Sequence, residues 1–185
     1  MRTLALHRAP SAGFSLVELM VTLAIAAILA MVAAPSYRTY ILNSRRDGIV
    51  DGLVASLHYA RNQALNLDQT TTLCAGTPGI TCAGGNWADG WEVVTVPATS
   101  ATVVLATHAL RATSTTPVLR ATDSALSFNG TGLVTGIGAA SEIMVVCDAR
   151  GASMARAVEV NRAGYIQSSP KPGLAPDGAT ALACP

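Results

Sequence analysis

The chain has 185 residues, of which 50% are hydrophobic and only 12% are charged, and this composition excludes an intrinsically disordered protein. Aromatic residues make up 4% of the sequence, too few for a surface that stacks nucleobases. Without the N-terminal segment that holds Arg2 and Arg8, the 12 basic side chains fall to 10 against 11 acidic ones, a net charge of −1. No overall positive field would then attract nucleic acid or an anionic membrane.

Residues 1–13 contain two arginines and no acidic side chain, and they end in Gly13 just before a continuous apolar stretch, residues 14–34. This order predicts a targeting leader of an unusual kind. In an ordinary secretory signal the apolar stretch precedes the cleavage site and is discarded, whereas cleavage after Gly13 would keep it as the N-terminal helix. As a helix the stretch would be about 31 Å long, which matches the hydrocarbon core of a bilayer.

Glu18 is the single ionisable side chain in this stretch. A carboxylate costs roughly 2.5 to 3.5 kcal/mol at the middle of a membrane helix and less near its end, so it needs a partner. Cleavage after Gly13 would create a new α-amine on Phe14, and the same amine on a neighbouring molecule could pair with Glu18. The alternative is a glutamate that reaches the lipid headgroups and pairs with no protein group.

The run from Gly13 to Leu19, with the sequence GFSLVEL, is followed by the apolar stretch and by Pro35 at its far end. This pattern resembles the class III signal of type IV pilins and pseudopilins. The resemblance implies cleavage after Gly13 and N-methylation of Phe14 by a prepilin peptidase. It also implies that Glu18 serves docking between subunits.

Residues 35–67 predict an amphipathic continuation of the helix, because apolar side chains recur every three or four positions. The apolar positions are Ile41, Ile49, Leu53, Leu57, Ala60 and Ala64, and the charged positions between them are Arg45, Arg46, Asp47 and Arg61. Pro35 would bend the helix without ending it, since the helical period resumes beyond it. The apolar face of this second half needs a sheet to cover it.

Short β-rich runs downstream supply that sheet. The predicted strands are Thr70–Cys74, Trp91–Val96, Thr102–Ala106, Ala125–Phe128, Glu142–Cys147, Ala155–Val160 and Tyr165–Gln167. Turns are predicted at Asp89-Gly90 and Asn129-Gly130, and residues 97–117 are predicted to form a variable loop with one edge strand. The tail, residues 168–185, should be irregular and fixed only through a cysteine bridge.

The predicted fold class is therefore α+β, with a long N-terminal helix packed on an antiparallel sheet or sandwich. The predicted parts are a leader (1–13), a membrane or filament-core helix (14–34), its amphipathic continuation (35–67) and a β-rich domain (68–185).

All of the cysteines, Cys74, Cys82, Cys147 and Cys184, lie in the β-rich domain, and none has the C-x-x-C spacing of zinc or thioredoxin-like sites. Four such cysteines indicate disulfides, and hence an oxidising compartment for this domain. Three pairings exist. We favour Cys74–Cys82, because a short loop with glycines and a proline can fold back, and Cys147–Cys184 by elimination. A free, buried Cys147 with an unpaired Cys184 is the alternative.

A second set of motifs comprises A-R-x-x-A at residues 60–64, the cysteine-containing strand after it, and W-x-x-G-W at residues 87–91. This set resembles the H-type pseudopilin (GspH) and FimT/FimU minor pilin family, over residues 13 to about 167. Trp91 is expected to anchor the core where sheet meets helix, and Trp87 to be a half-buried cover for the turn.

The sequence gives little support to an enzyme. His7 lies in the leader, His58 beside the apolar helix face and His108 in the polar loop region, and no nucleophile, metal or phosphate-binding motif accompanies them. We therefore predict no catalytic residues, no cofactor and no metal.

Arg150, Arg156 and Arg162 are the remaining binding candidates, as weak DNA contacts. Some FimT-type minor pilins bind DNA through a Gly-Arg-x-Arg motif in a late loop. The corresponding stretch here, residues 164–167, lacks both arginines, and acidic residues are interleaved with the three arginines. Nucleic acid is thus an unlikely partner.

The resemblances imply a minor pilin or pseudopilin of the inner membrane, with its C-terminal domain in the periplasm and other pilins or pseudopilins and the prepilin peptidase as partners. Such a subunit helps to initiate a type IV pilus or a type II secretion pseudopilus, and the sequence does not separate the two. The alternative is a DNA-uptake minor pilin at a pilus tip.

Overall fold

The structure, a computed structural model, describes residues 13–77, 79, 82, 84–97, 101–110 and 116–184. The chain divides into two compact units, Met1–Ile41 and Leu42–Pro185, which we call the N-terminal unit and the head. One helix, α1 (Leu16–Leu67), supplies residues to both units. Apart from Gly13, the predicted leader lies outside the described residues, as do parts of the predicted loop 97–117.

Helix α1 begins immediately after a capping serine. Ser15 Oγ accepts a hydrogen bond from the backbone N–H of Glu18 at 3.2 Å, and Ser15 O accepts one from Leu19 at 3.1 Å. Pro35 lies inside the helix and does not end it, in agreement with the helical period beyond it. The bend expected at Pro35 stays a prediction. In the N-terminal unit the described residues up to position 40 are exposed, and the helix is long and apolar enough to cross a membrane.

In the head, α1 buries one face, and its buried residues recur at helical spacing. The buried apolar residues of α1 are Ile49, Val50, Leu53, Leu57, Ala60 and Ala64. This face agrees with the predicted one except that Val50 joins it and Ile41 is only partly buried.

Arg46 corrects the sequence prediction, which placed it on the polar side of α1. It is 3% exposed. Its Nη1 donates to Met154 O at 2.7 Å, and its Nε donates to the Asp47 carboxylate at 3.0 Å. The guanidinium can be buried because a carbonyl and a carboxylate satisfy it, while its methylene groups pack like those of an apolar residue.

The strands form two antiparallel sheets. The strands are β1 (Thr71–Ala75), β2 (Gly90–Thr95), β3 (Val103–Ala109), β4 (Val118–Arg120), β5 (Ala125–Phe128), β6 (Val134–Thr135), β7 (Ser141–Cys147), β8 (Arg156–Asn161) and β9 (Ile166–Ser168). A five-stranded sheet has the order β3-β2-β1-β5-β6, and a four-stranded sheet has the order β4-β7-β8-β9. The predicted α+β class, a long helix with antiparallel sheets, is confirmed.

Strand β1 is the centre of the five-stranded sheet. Its Leu73 pairs with Val93 of β2 on one side and with Leu126 of β5 on the other. In the four-stranded sheet, Met144 of β7 pairs with Val158 of β8. All of these side chains belong to one hydrophobic core that also contains the buried face of α1.

The sequence does not predict β4 and β6. They have three and two residues, too few to show the two-residue period of a strand. Strand β6 returns from the predicted turn at Asn129, whose Oδ1 accepts the backbone N–H groups of Thr131 at 3.1 Å and Leu133 at 2.9 Å. Strand β3 is the predicted edge strand within 97–117, and it continues past the predicted end at Ala106.

After β9 the tail is largely irregular, as the sequence predicts. Ser169 is 1% exposed, and its Oγ accepts the backbone N–H of Ala157 at 2.8 Å. Leu174 and Ala181 form an isolated antiparallel bridge. The described part of the head also contains two short 3₁₀ helices, Trp87–Asp89 and Ala152–Met154.

Candidate assembly site

The N-terminal unit presents large apolar side chains on every side of α1. Their exposed fractions run from 83% at Phe14 through 62% at Leu23 to 69% at Val32. A continuous apolar surface of this length is far larger than the patches that soluble monomers tolerate. It therefore requires a cover, which can be lipid or the helices of neighbouring subunits.

Glu18 lies in the first turn of this exposed helix. Ser15, three positions earlier, caps the helix through the N–H of Glu18, so the pair forms one half of a capping box. The first-turn N–H groups and the helix dipole favour a negative charge at this point. The sequence analysis did not single out Ser15, although the S-x-x-E spacing is a known signal of a helix start. Gly13 precedes this cap, and open space surrounds the position that a Cβ would take there.

Trp91 anchors the head core where the five-stranded sheet meets α1, the role expected of it. It is fully buried, and its Nε1 donates to Ser56 Oγ at 2.9 Å. The ring of His108 stacks on the Trp91 ring with centroids 4.2 Å apart. His108 thus corrects the sequence interpretation, because it lies on β3 and not in a polar loop. Burial lowers the pKa of His108.

Trp87 also differs from the expectation of a half-buried cover. It is only 5% exposed, and its Nε1 donates to Asp123 O at 2.9 Å. The indole can be buried because its single donor finds a backbone acceptor.

The structure joins Cys74 to Cys82, with Cα atoms 5.4 Å apart, the pairing favoured from the sequence. Glu92, which is 2% exposed, holds the intervening loop. Its two carboxylate oxygens accept the backbone N–H groups of Gly79 at 2.9 Å and Cys82 at 2.8 Å. Both cysteine sulfurs and the Glu92 carboxylate lie within 4.8 Å of one another, but sulfurs bonded in a disulfide are not thiolate metal ligands.

The second disulfide joins Cys147, the last residue of β7, to Cys184 in the tail, with Cα atoms 5.9 Å apart. The alternative of a free Cys147 is not what the structure contains, since all four cysteines are bonded.

Each of the three arginines considered as DNA contacts binds a different group within the head. Arg150 forms a salt bridge with Asp148, whose side chain is 1% exposed. Arg156 donates to Ser169 O at 2.7 Å, and Arg162 donates to Ala139 O at 3.1 Å. Their guanidinium groups are thus engaged in contacts within the head.

Two of these arginines, Arg150 and Arg156, also contact residues of α1. Arg150 Nη1 donates to Asn43 Oδ1 at 2.9 Å, and Arg156 Nη1 lies 3.5 Å from the Asp47 carboxylate. Burial alone would raise the pKa of Asp148, but the hydrogen bonds and the charge of Arg150 outweigh it, so the pKa of Asp148 is lowered. A hydrogen bond from Arg150 and an ion pair of Arg156 thus connect the head's part of α1 to the segments at β7 and β8.

Glu142 is a further buried carboxylate that the sequence did not predict. It is 4% exposed on β7, and its Oε1 accepts the backbone N–H groups of Thr122 at 2.6 Å and Asp123 at 3.1 Å. Burial raises the pKa of Glu142 against the opposing effect of these hydrogen bonds. A buried acid at the second position of an otherwise apolar strand, SEIMVVC, is the signal that could have drawn attention to it.

Comparisons with known proteins agree with this architecture. Crystal structures of the type IV minor pilin FimU of Pseudomonas aeruginosa, in two crystal forms, share the fold. One match has 20% sequence identity and a TM-score of 0.53, and covers 69% of this chain and 90% of that chain. The other has 19% identity and a TM-score of 0.51, and covers 67% of this chain and 92% of that chain.

Two family matches cover different parts of the sequence. Residues 8–34 match the prokaryotic N-terminal methylation motif. Residues 50–164, more than half of the chain, match the family described as Type II transport protein GspH. With its pilin-like fold and methylation motif, the chain belongs to the GspH family of minor pilins and pseudopilins.

Proposed function

We propose that this protein is a minor subunit that helps to initiate assembly of a pilus or pseudopilus. In this proposal the peptide bond after Gly13 is cleaved and the amine of Phe14 is methylated. The processed subunit then waits in the inner membrane with its head in the periplasm. It joins other low-abundance subunits through residues 14–34.

The observation that supports this proposal is the exposed apolar part of α1 in the N-terminal unit, with one carboxylate in its first turn. Lipid covers such a surface before assembly, and the helices of other subunits cover it afterwards. Glu18 is the polar group through which another subunit can recognise this surface, because a carboxylate in an apolar environment needs a positively charged partner. The α-amine of Phe14 on a neighbouring subunit is that partner.

The periplasmic location of the head is supported by its two disulfides, which persist in oxidising compartments. A type IV pilus and a type II secretion pseudopilus both use this arrangement. The GspH match carries a type II transport description, whereas the similar solved structures are of a type IV minor pilin.

Substitution of Glu18 by alanine tests the docking role. We expect Glu18→Ala to be inserted and processed but depleted from sheared fibres. Loss of the charge makes membrane residence easier, by up to about 3 kcal/mol, so a defect in incorporation must come from the missing partner. Asp51→Ala, which removes an exposed carboxylate from the head's part of α1, is the matched control and should be incorporated normally. Normal incorporation of Glu18→Ala would refute the docking role.

DNA uptake at a pilus tip remains the alternative to be tested, although the engaged arginines give it no support. A mobility-shift titration of the purified chain at low and high salt tests it, because phosphate contacts weaken steeply with salt. Salt-sensitive binding that Arg150→Ala and Arg162→Ala reduce would favour the alternative.

A further inference from the structure

A band of tyrosine and arginine side chains follows the apolar stretch of α1. Tyr37 and Tyr40 are 66% and 67% exposed, and Arg38 between them is also exposed. The whole chain has four tyrosines, so half of them lie within this one turn. We call Tyr37, Arg38 and Tyr40 the interfacial band.

The height of the band along α1 matches the headgroup layer of a bilayer. The apolar stretch ends at Ala34, and a helix rises about 1.5 Å per residue. Tyr37 and Tyr40 thus lie about 4.5 Å and 9 Å beyond the end of the stretch. The polar layer on each side of the hydrocarbon core is roughly 5 to 8 Å thick. The backbone of Tyr37 therefore lies inside this layer and that of Tyr40 at its outer edge, and helix side chains incline toward the N-terminus, which brings the Tyr40 ring back into the layer.

The band lies within one turn of the helix and covers a little less than half of its circumference. Successive residues are turned by about 100°, so Arg38 lies about 100° to one side of Tyr37 and Tyr40 about 60° to the other. Side chains that bind a partner helix repeat along one face over several turns. These three residues instead lie within one turn and span about 160° of the circumference, with both tyrosines toward one side, and contact with a planar layer requires no repeat along further turns.

The chemistry of the band also fits phospholipid headgroups. A tyrosine places its ring among the upper acyl chains and its hydroxyl among ester and phosphate groups. An arginine forms bidentate hydrogen bonds with a phosphate. We propose that Tyr37, Arg38 and Tyr40 bind the phospholipid headgroups of the outer leaflet of the inner membrane and thereby fix the depth of the unassembled subunit. This inference rests on the proposed function, in which the subunit resides in the membrane before assembly.

Assembly into a fibre would have to break the contacts between the interfacial band and the phospholipids. The phospholipid contacts hold α1 at one height, and they are lost when the helix leaves the bilayer for the fibre. The band is thus a retention element for the waiting subunit, separate from the recognition element at Glu18.

A depth measurement on the full chain tests the proposal. The four natural cysteines are paired, so Ala33→Cys adds one reactive thiol for a fluorescent reporter near the outer end of the apolar stretch. The labelled chain is reconstituted in vesicles of phosphatidylethanolamine and phosphatidylglycerol. Lipids that carry nitroxides at the headgroup or at known acyl positions then report the depth of the reporter by quenching.

Replacement of all three band residues by alanine should shift or broaden the depth profile by roughly 5 Å, one helical turn. The matched control replaces the other two tyrosines, Tyr59 and Tyr165, by alanine, and its profile should match that of the parent chain. Both tryptophans are buried in the head, so unchanged tryptophan fluorescence verifies that the head remains folded.

The failures can be told apart. If the parent chain does not insert, so that aqueous iodide quenches the reporter, the proposed membrane residence fails together with the inference. If the band variant inserts at the parent depth, the inference is refuted and the proposed function stands. If its depth is unchanged but it is lost from fibres, the band is a protein contact, which also refutes the inference.

Discussion

The two units of the chain use the same helix in opposite ways. In the N-terminal unit the apolar side chains of α1 point in every direction and are exposed. In the head the apolar side chains of α1 occupy one face and are buried among those of both sheets. The head therefore contains its own core, whereas the apolar side chains that the structure describes in the N-terminal unit are left exposed. The comparison teaches that stability and assembly can be altered separately along one continuous helix.

The largest effect is expected at the predicted cleavage site within the N-terminal unit. Gly13→Leu should abolish cleavage, because the peptidase must fit the backbone between a charged leader and the apolar stretch. The membrane-extracted protein would then keep residues 1–13, which an intact-mass measurement detects directly. Gly138→Ala, an open position in the head, should be processed normally. A mature N-terminus of the parent chain anywhere other than Phe14 would contradict this prediction.

A leucine pair tests the comparison itself. Leu57 is fully buried in the head and Leu23 is 62% exposed in the N-terminal unit, although both lie on α1. Leu57→Ala should lower the free energy of unfolding of the head by roughly 3 to 5 kcal/mol, through lost burial and a residual cavity. Leu23→Ala should leave it unchanged.

The measurement is denaturant unfolding of the full chain in detergent. The chain has two tryptophans, Trp87 and Trp91, and both are buried in the head, so tryptophan fluorescence follows the head alone. An equal loss of stability in the two variants would show that the units are not energetically separate.

The two disulfides should contribute unequally to the head. In the chain-entropy model, the bridge from Cys147 to Cys184 stabilises by about 4 kcal/mol and the shorter bridge from Cys74 to Cys82 by about 2.5 kcal/mol. The sequence separations are 37 and 8. Paired serine substitutions, compared by the same unfolding measurement, should follow that order. Non-reducing peptide mapping of the parent chain should recover the two pairs, and a peptide that links Cys74 or Cys82 to Cys184 would contradict the pairing.

Much of this architecture could be predicted from the sequence. The apolar stretch, the period of the amphipathic face and most strands follow from local patterns, because each pattern extends over several residues. Contacts between distant residues could not be predicted in this way. Arg46 is charged and lies between charged neighbours, and its acceptor, Met154 O, is 108 positions away in the chain. Nothing local distinguishes it from an exposed arginine.

The same reasoning applies to the buried carboxylates and to Trp87. Glu92 and Glu142 are stabilised by backbone N–H groups of loops, which no side-chain pattern reveals. Trp87 can be buried because the backbone carbonyl of the distant residue Asp123 accepts a hydrogen bond from its indole N–H. The candidate assembly site was easier to predict from the sequence, since its residues follow one another in the chain.

Gly164 provides a smaller test of the head. Its φ of +76° is in the left-handed region, and a Cβ there would lie 2.2 Å from Gly132 O. Gly164→Ala should therefore destabilise the head by roughly 1 to 3 kcal/mol through backbone strain, in addition to the steric clash. Gly138→Ala is the matched control, because its Cβ would meet open space and the substitution should be close to neutral. Equal unfolding midpoints for the two variants would contradict this assignment.

The smallest expected effect is a pH dependence from Glu142. Its pKa is raised above the ordinary value of 4.5 in the folded head. Between the unfolded and the folded pKa the native state binds more protons, so this group's contribution favours folding at low pH and is lost as pH rises through the raised pKa. Glu142→Gln, which can still accept both backbone N–H groups, should remove this component from a series of unfolding curves.

Asp148 provides the opposite sign for comparison. Its pKa is lowered by Arg150, so the contribution is present above the ordinary pKa and is lost as pH falls through the lowered one. In the parent chain this group lowers the free energy of unfolding as the pH becomes acid. Asp148→Asn should lack this component of the pH dependence. If both variants changed the curves in the same direction, one of the two directions would be wrong.

The Glu92 carboxylate also bears on the order of oxidative folding. Glu92 pairs with Cys74 in the β1–β2 register, and it accepts the backbone N–H of Cys82. Pairing of two neighbouring strands thus delivers the second thiol to the first at a high effective concentration, and thiol–disulfide exchange can close the ring within a hairpin. The bond between Cys147 and Cys184 spans 37 positions and requires the tail to lie against the head. Closure of either ring is a two-electron oxidation, so both require exchange with an external disulfide that is reduced. The Glu92 contact favours the Cys74–Cys82 ring by holding Cys82 close to Cys74.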